Sequence, residues 1–162
     1  DQVQRVAQLN DKHTIVGAEQ SKPWMVWVAG QCPAVDMVTS KLANWLQRSA
    51  APRTDAGMAQ AVQDLARGVS EKHLAGGLLF VESAALAACY ANRCAALRAV
   101  VGTAPETVNE AVNKLAANVL IVEYPRTQAG PMADMVGALL AGQGRSVSPA
   151  LQRTLAELSR TH

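Results

Sequence analysis

Four short apolar runs punctuate the chain: Met25-Val26-Trp27-Val28-Ala29, Leu78-Leu79-Phe80-Val81, Ala96 to Val101, and Val119-Leu120-Ile121-Val122. Each is bounded by turn-forming or polar residues and lacks polar alternation. Such runs fit strands buried on both faces, as in a parallel sheet covered by helices. Between them the apolar period lengthens to that of a helix. From Val35 to Arg48 the apolar positions are Val35, Val38, Leu42 and Trp45-Leu46. Residues 56–70 place Val62, Leu65 and Val69 on one face. Further helices are expected from Ala84 to Arg93, from Pro105 to about Leu115, from about Gly130 to Leu140, and from Ser148-Pro149 to about Arg160. Thr103 is a candidate N-cap for the helix that begins at Pro105, with Pro105 and Glu106 in its first turn.

Strand alternating with helix predicts a Rossmann-like three-layer α/β/α sandwich with a mostly parallel sheet. Residues 23–162 form one domain in this reading. Residues 1–22 stand apart as an N-terminal arm. Within the arm, Val3, Val6 and Leu9 recur at helical spacing, and Thr14-Ile15-Val16 fits a brief strand. An amphipathic arm of this kind can pack on its own domain or dock into a partner groove. Ser49 to Asp55 (SAAPRTD) reads as a loop joining two helices.

Composition narrows the class. The chain has 162 residues, 49% hydrophobic and 17% charged, which suits one well-packed domain. Three Trp, two Tyr and one Phe leave a core built mainly of Ala, Val and Leu. A net charge of +2 without a Lys/Arg run gives no electrostatic footprint for nucleic acid. No window approaches roughly 18 uninterrupted apolar residues, so no membrane span is expected. Cys32, Cys89 and Cys94 have no CxxC spacing and read as reduced thiols, which places the protein in the cytoplasm. The chain begins at Asp1 without a methionine, which leaves an upstream or removed segment open.

Ligands of parallel α/β sheets bind outside the carboxyl ends of the strands. The segments to inspect are therefore 30–34, 81–86, 102–105 and 123–127. Cys32 precedes a helix, where a thiolate would be favoured; it also fits as a small apolar residue beside a turn. Glu82 follows the second run. It could serve as a general base, or it could neutralise the start of its own helix. A phosphate cradle needs glycines, and Glu82-Ser83-Ala84-Ala85-Leu86 has none. Arg126 follows the last run, where a guanidinium could grip an anion. The three histidines, His13, His73 and His162, occupy none of these edges. Neither a metal-ligand cluster nor a cofactor motif is present, so no cofactor and no metal are expected.

The gapless block from Gly76 to Gly142 resembles the ribose-5-phosphate isomerase B / galactose-6-phosphate isomerase family. Its GGLLFV-ESAAL-AACYANR-CAALRAVV, NKLAANVLIV and MADMVGALLAG segments follow that family's order and spacing. Asn92 matches the asparagine of the family's "AAN", Arg98 the arginine of "GIRA", and Asn118-Val119-Leu120 the "NVL". Upstream, Thr54-Asp55 is similar to the "TDYP" region, and Trp24 to Leu46 to the first strand and helix. The shorter intervening segment implies that the family's second strand is lost or replaced, with His13 to Gly17 as a candidate replacement.

The resemblance also implies what is missing. Val81 stands where the family has its cysteine base, and Cys32-Pro33 where it has an aspartate-histidine pair. Ser83 matches the loop threonine without its glycines. Lys114-Leu115-Ala116 replaces the ring-opening "HND". Pro125 replaces the arginine after the fourth strand, with Arg126 one place along, and Arg153 alone stands for the C-terminal phosphate-gripping arginines. The implied function is a catalytically degenerate binding or supporting subunit, with a sugar phosphate as ligand and a homodimer or homologous chain as partner. Leu86 and Leu115 would then fill the pocket. The alternative is an active aldose–ketose isomerase with a rebuilt site. Its catalytic candidates are Glu82, Ser83 and Cys32; its substrate-binding candidates are Asn92, Lys114, Arg126 and Arg153.

Overall fold

The computed structural model describes residues 22–161. Residues 1–21, and with them the apolar spacing at Val3, Val6 and Leu9 and the segments 13–17 and 14–16, lie outside the described residues. Five strands form one sheet: β1 (Trp24–Val28), β2 (Leu46–Arg48), β3 (Gly76–Val81), β4 (Ala99–Val101) and β5 (Val119–Glu123). Their order is β2-β1-β3-β5-β4, and every pairing is parallel. Six α-helices are described: α1 (Pro33–Ser40), α2 (Asp55–Ser70), α3 (Ala84–Ala91), α4 (Pro105–Leu115), α5 (Ala129–Ala141) and α6 (Pro149–Ser159).

The alternation of side chains along each strand divides the core in two. Val26, Leu78, Phe80, Leu120 and Val122 face α1, α4 and α5. Met25, Trp27, Leu79, Val81, Val119 and Ile121 face α2 and α3. All six residues of β3 are buried, which explains why that strand reads as one continuous apolar run. The result is the three-layer α/β/α sandwich expected from the sequence.

The sheet carries one strand that the local pattern did not announce. Residues 46–48, read from sequence as the end of a long helix, form β2, paired with β1 in the register Trp24↔Leu46 and Val26↔Arg48. The preceding helix stops at Ser40, and a turn carries the chain to Trp45, whose carbonyl accepts the Trp24 N–H at 2.8 Å. β2 is a three-residue edge strand with two exposed positions, so it carries no periodic apolar signal. Its place is fixed from a distance. The Arg48 guanidinium donates to Thr39 Oγ1 at 3.1 Å, and that buried hydroxyl donates to the Val35 carbonyl at 2.9 Å.

Two smaller expectations also change. β4 begins at Ala99, because residues 96–98 are held in a turn by Asn118. Ala104, not Thr103, is the N-cap of α4; the Thr103 hydroxyl meets Thr107 Oγ1 at 3.3 Å instead. The last helix is not part of the core. No residue of α6 is buried, and Leu155 and Leu158 are exposed at 41% and 61%.

Candidate functional site

At the carboxyl edge of the sheet, β1, β3 and β5 end side by side, and the loop after β2 reaches the same edge. A cleft of about 200 Å³ opens there, lined by Trp27, Ala29, Arg53, Thr54, Asp55, Met58, Glu82, Ser83 and Leu86. A smaller depression of about 80 Å³ adjoins it, bordered by β1 together with Arg48, Ser49, Ala51 and Arg53. Trp27 and Arg53 belong to both.

Three acidic and phenolic groups organise the β3–β5 side. The register Val81↔Glu123 sets the two strand ends opposite each other. Alternation then aims Glu123 toward the α3 layer, where its Oε1 accepts the Ala84 N–H at 2.9 Å. Arg126 approaches the same carboxylate, its Nη1 lying 3.6 Å from Oε2. The first amide of α3 is thus satisfied by a carboxylate from another strand, a favourable placement at the positive end of a helix. Ser83, the N-cap residue, makes no capping bond with its own side chain. Glu82 does not cap the helix either.

Glu82 is engaged elsewhere. The phenol of Tyr124 donates to its Oε1 at 3.1 Å. Tyr124 is 8% exposed, and its pKa is raised above 10.0, first by burial, then by the hydrogen bond to Glu82 and the nearby Glu82 and Cys32 charges, with Arg53 pulling the other way. The phenol is therefore a neutral donor near neutral pH. Gly30 makes this reach possible. A Cβ there would stand 2.4 Å from Tyr124 Oη, too close for any side chain.

The Arg53 loop is pinned from both sides. Thr54 Oγ1 accepts the Gly57 N–H at 3.0 Å and caps α2. A Cβ on Gly57 would lie 1.7 Å from the Pro52 carbonyl oxygen, so only glycine lets the loop lie so close on the helix. Met58 and Leu65 anchor that helix in the core.

Of the residues singled out from sequence, the structure brings Glu82, Ser83 and Leu86 to the cleft wall. Cys32 is half-buried beside Tyr124 and does not line the cleft. Arg126 is at the same edge, with its side chain 84% exposed and paired with Glu123. Asn92 lies at the opposite edge, where its side chain bonds both the N–H and the C=O of Ala99. Asn118 secures the same turn through Arg98 N and Ala96 O. Arg98 adds a bond from Nε to the Ala116 carbonyl at 3.1 Å, and burial lowers its pKa. Lys114 pairs with Glu110 at 2.6 Å on the exposed face of α4, and Leu115 follows it, away from the cleft. Arg153 lies on the exposed α6.

Sequence reasoning passed over Arg53, Asp55 and Tyr124 as site residues. Arg53 escaped because β2 was read as helix, which turned a strand-to-helix loop at the ligand edge into a helix–helix connection. Among the described residues, no three His, Cys, Asp or Glu side chains are grouped to hold a metal ion.

With this geometry the likeness to solved structures is specific. The ribose 5-phosphate isomerase of Thermotoga maritima superposes with a TM-score of 0.71 at 13% identity, covering 88% of this chain and 100% of that one. This is the fold of the type B ribose-5-phosphate isomerases. The Trypanosoma brucei type B enzyme gives a TM-score of 0.68 at 13% identity, over 88% of this chain and 100% of that one. The Mycoplasma genitalium ribose-5-phosphate isomerase B, solved with bound ribulose-5-phosphate, gives 0.65 at 12% identity, over 87% and 95%. No family model and no curated protein matches the sequence. The type B isomerase fold is therefore retained at an identity where side-chain chemistry has to be read from this chain itself.

Proposed function

We propose that this chain is a divergent member of the sugar-phosphate isomerase family with a catalytically degenerate site, acting as a binding or supporting subunit. The observation that carries this reading is the Glu123–Ala84 bond. Aldose–ketose isomerisation moves a proton between adjacent carbons. It needs a base, an acid and a donor for the oxyanion that develops. At the end of β3, Val81 is a buried apolar residue without acid–base chemistry. The amide heading α3, well placed to stabilise an oxyanion, already serves Glu123. The cleft keeps hydroxyl, carboxylate and guanidinium groups suited to holding a small polyhydroxylated molecule.

Thermal-shift titration with ribose 5-phosphate and galactose 6-phosphate, followed by NMR of the same mixtures, tests this. A raised melting temperature with unchanged sugar spectra is the expected result. Conversion of either sugar phosphate to its ketose would overturn the degenerate reading.

One observation favours a second reading. Tyr124 joins Glu82 by a hydrogen bond and lies beside Cys32, which supports an acid–base set rebuilt around Glu82 and Cys32. In that reading Glu82 takes the proton and the neutral phenol supplies one to the substrate oxygen. Turnover by the wild type that disappears in Glu82→Gln and in Tyr124→Phe would establish it.

The exposed α6, carrying Leu155 and Leu158, supports a homodimer or a homologous partner subunit. Light scattering on the wild type and on Leu158→Glu should report a dimer and a weakened dimer respectively. A monomeric wild type would remove the homodimer. Among the described residues no helix is long and apolar enough to cross a membrane.

A further inference from the structure

We propose that the phosphate of this site's ligand docks beside Arg53, in the depression between β1 and the β2 loop, while its hydroxylated body lies in the cleft against Glu82, Ser83 and Asp55. The inference rests on the reading that the cleft holds a small phosphorylated polyol, and it assigns the anion subsite.

Charge decides the orientation. The larger cleft carries two carboxylates, Glu82 and Asp55, with Arg53 at its border. The smaller depression carries Arg48 and Arg53 with Ser49 and no acidic side chain. A phosphate placed against Glu82 would face a like charge. Turned the other way, the ligand puts its anion between two guanidinium groups and its hydroxyls on carboxylate acceptors. At about 80 Å³, several times the ~10–15 Å³ a cavity needs to hold one water, the depression has room for a phosphate-sized group.

Competing cation positions are already engaged. Arg126 approaches Glu123, which also occupies the amide at the start of α3. Lys114 is paired with Glu110. Arg53 makes no ion pair or hydrogen bond with any described residue. Its backbone is nonetheless held firmly by the Thr54 cap and the Pro52–Gly57 contact. A guanidinium that is unpaired among the described residues, on a fixed loop bordering both hollows, is pre-organised for an anion.

Calorimetric titration of the full chain with ribose 5-phosphate, ribose and inorganic phosphate tests the assignment. In Arg53→Gln, ribose 5-phosphate and inorganic phosphate should bind at least about tenfold more weakly, the loss expected of a charge-assisted contact. Ribose should bind as it does to the wild type. Arg53→Lys should recover part of the phosphate affinity, and Arg126→Gln should change neither ligand more than about twofold. Because Arg53 is exposed, circular dichroism should show an unchanged fold for its variants. Undiminished ribose 5-phosphate binding by Arg53→Gln, or a loss carried by Arg126→Gln instead, overturns this assignment and leaves the binding-subunit reading standing. A wild type that binds none of the three ligands overturns both.

Discussion

Glu123 and Ala84 are 39 residues apart in sequence, yet the carboxylate of one accepts the backbone N–H of the other at 2.9 Å. The parallel register of β3 and β5 creates this bond, and it fills with an internal anion a helix terminus at the cleft. Glu123→Ala would leave that amide without its protein partner and remove a favourable charge at the helix start. We expect a stability loss of about 1 kcal/mol in urea denaturation, and a smaller loss for Glu123→Gln. An unchanged midpoint in both variants would show that water replaces the carboxylate at no cost.

Gly30 and Tyr124 should be coupled. A Cβ at Gly30 would meet Tyr124 Oη at 2.4 Å, while the ring carbon behind it is at 3.5 Å, ordinary contact distance. Gly30→Ala should therefore cost about 1–3 kcal/mol in the wild type and much less in a Tyr124→Phe background. Additive losses across this double-mutant cycle would mean that the strain at Gly30 lies elsewhere.

Tyr124 should also mark the alkaline limit of stability. Its folded pKa is raised above 10.0, so the folded state holds its proton at a pH where the unfolded chain has released it. Its contribution to stability is full below the unfolded value and is lost as pH rises through the folded one. The wild type should lose stability above about pH 10 more steeply than Tyr124→Phe does. Denaturation midpoints between pH 9 and 11 would reveal the difference, and parallel curves would contradict it.

Asn118 is buried, accepts the Arg98 N–H at 2.8 Å and donates to the Ala96 carbonyl at 2.9 Å. Asn118→Ala should cost about 1–3 kcal/mol, because it leaves backbone groups of a tight turn unpaired. Asn92 makes the analogous pair of bonds to Ala99 in a more exposed place, so Asn92→Ala should cost less. Sugar-phosphate affinity per folded molecule should be unaltered in both, since these side chains lie at the edge opposite the cleft. A selective loss of binding by either would contradict that placement.

The layered fold was legible in the chain wherever local pattern and tertiary burial agree. β1, β3 and β5 are buried on both faces, and each announces itself as a continuous apolar run. The Gly76–Gly142 block preserves spacing, and spacing is what fixes the topology of a sheet. β2 was illegible for the opposite reason. Three residues with two side chains in solvent have no period, and their strand state comes from pairing with β1 and from the Arg48–Thr39 bond. Losing β2 hid Arg53, because a loop counts as part of a ligand edge only once the strand before it is known.

Glu82 was identified as a cleft residue from its place after an apolar run, but its partner was not. Whether a carboxylate caps a helix, holds a phenol or stands free depends on which strand ends lie side by side. The sequence by itself determined β1, β3, β4 and β5, the helices that alternate with them and the absence of familiar chemistry at the end of β3. The tertiary structure alone decided that Glu123 caps α3, that Tyr124 holds Glu82, and that Arg53 borders both hollows. Those relationships depend on parallel register between distant segments, which local periodicity does not encode.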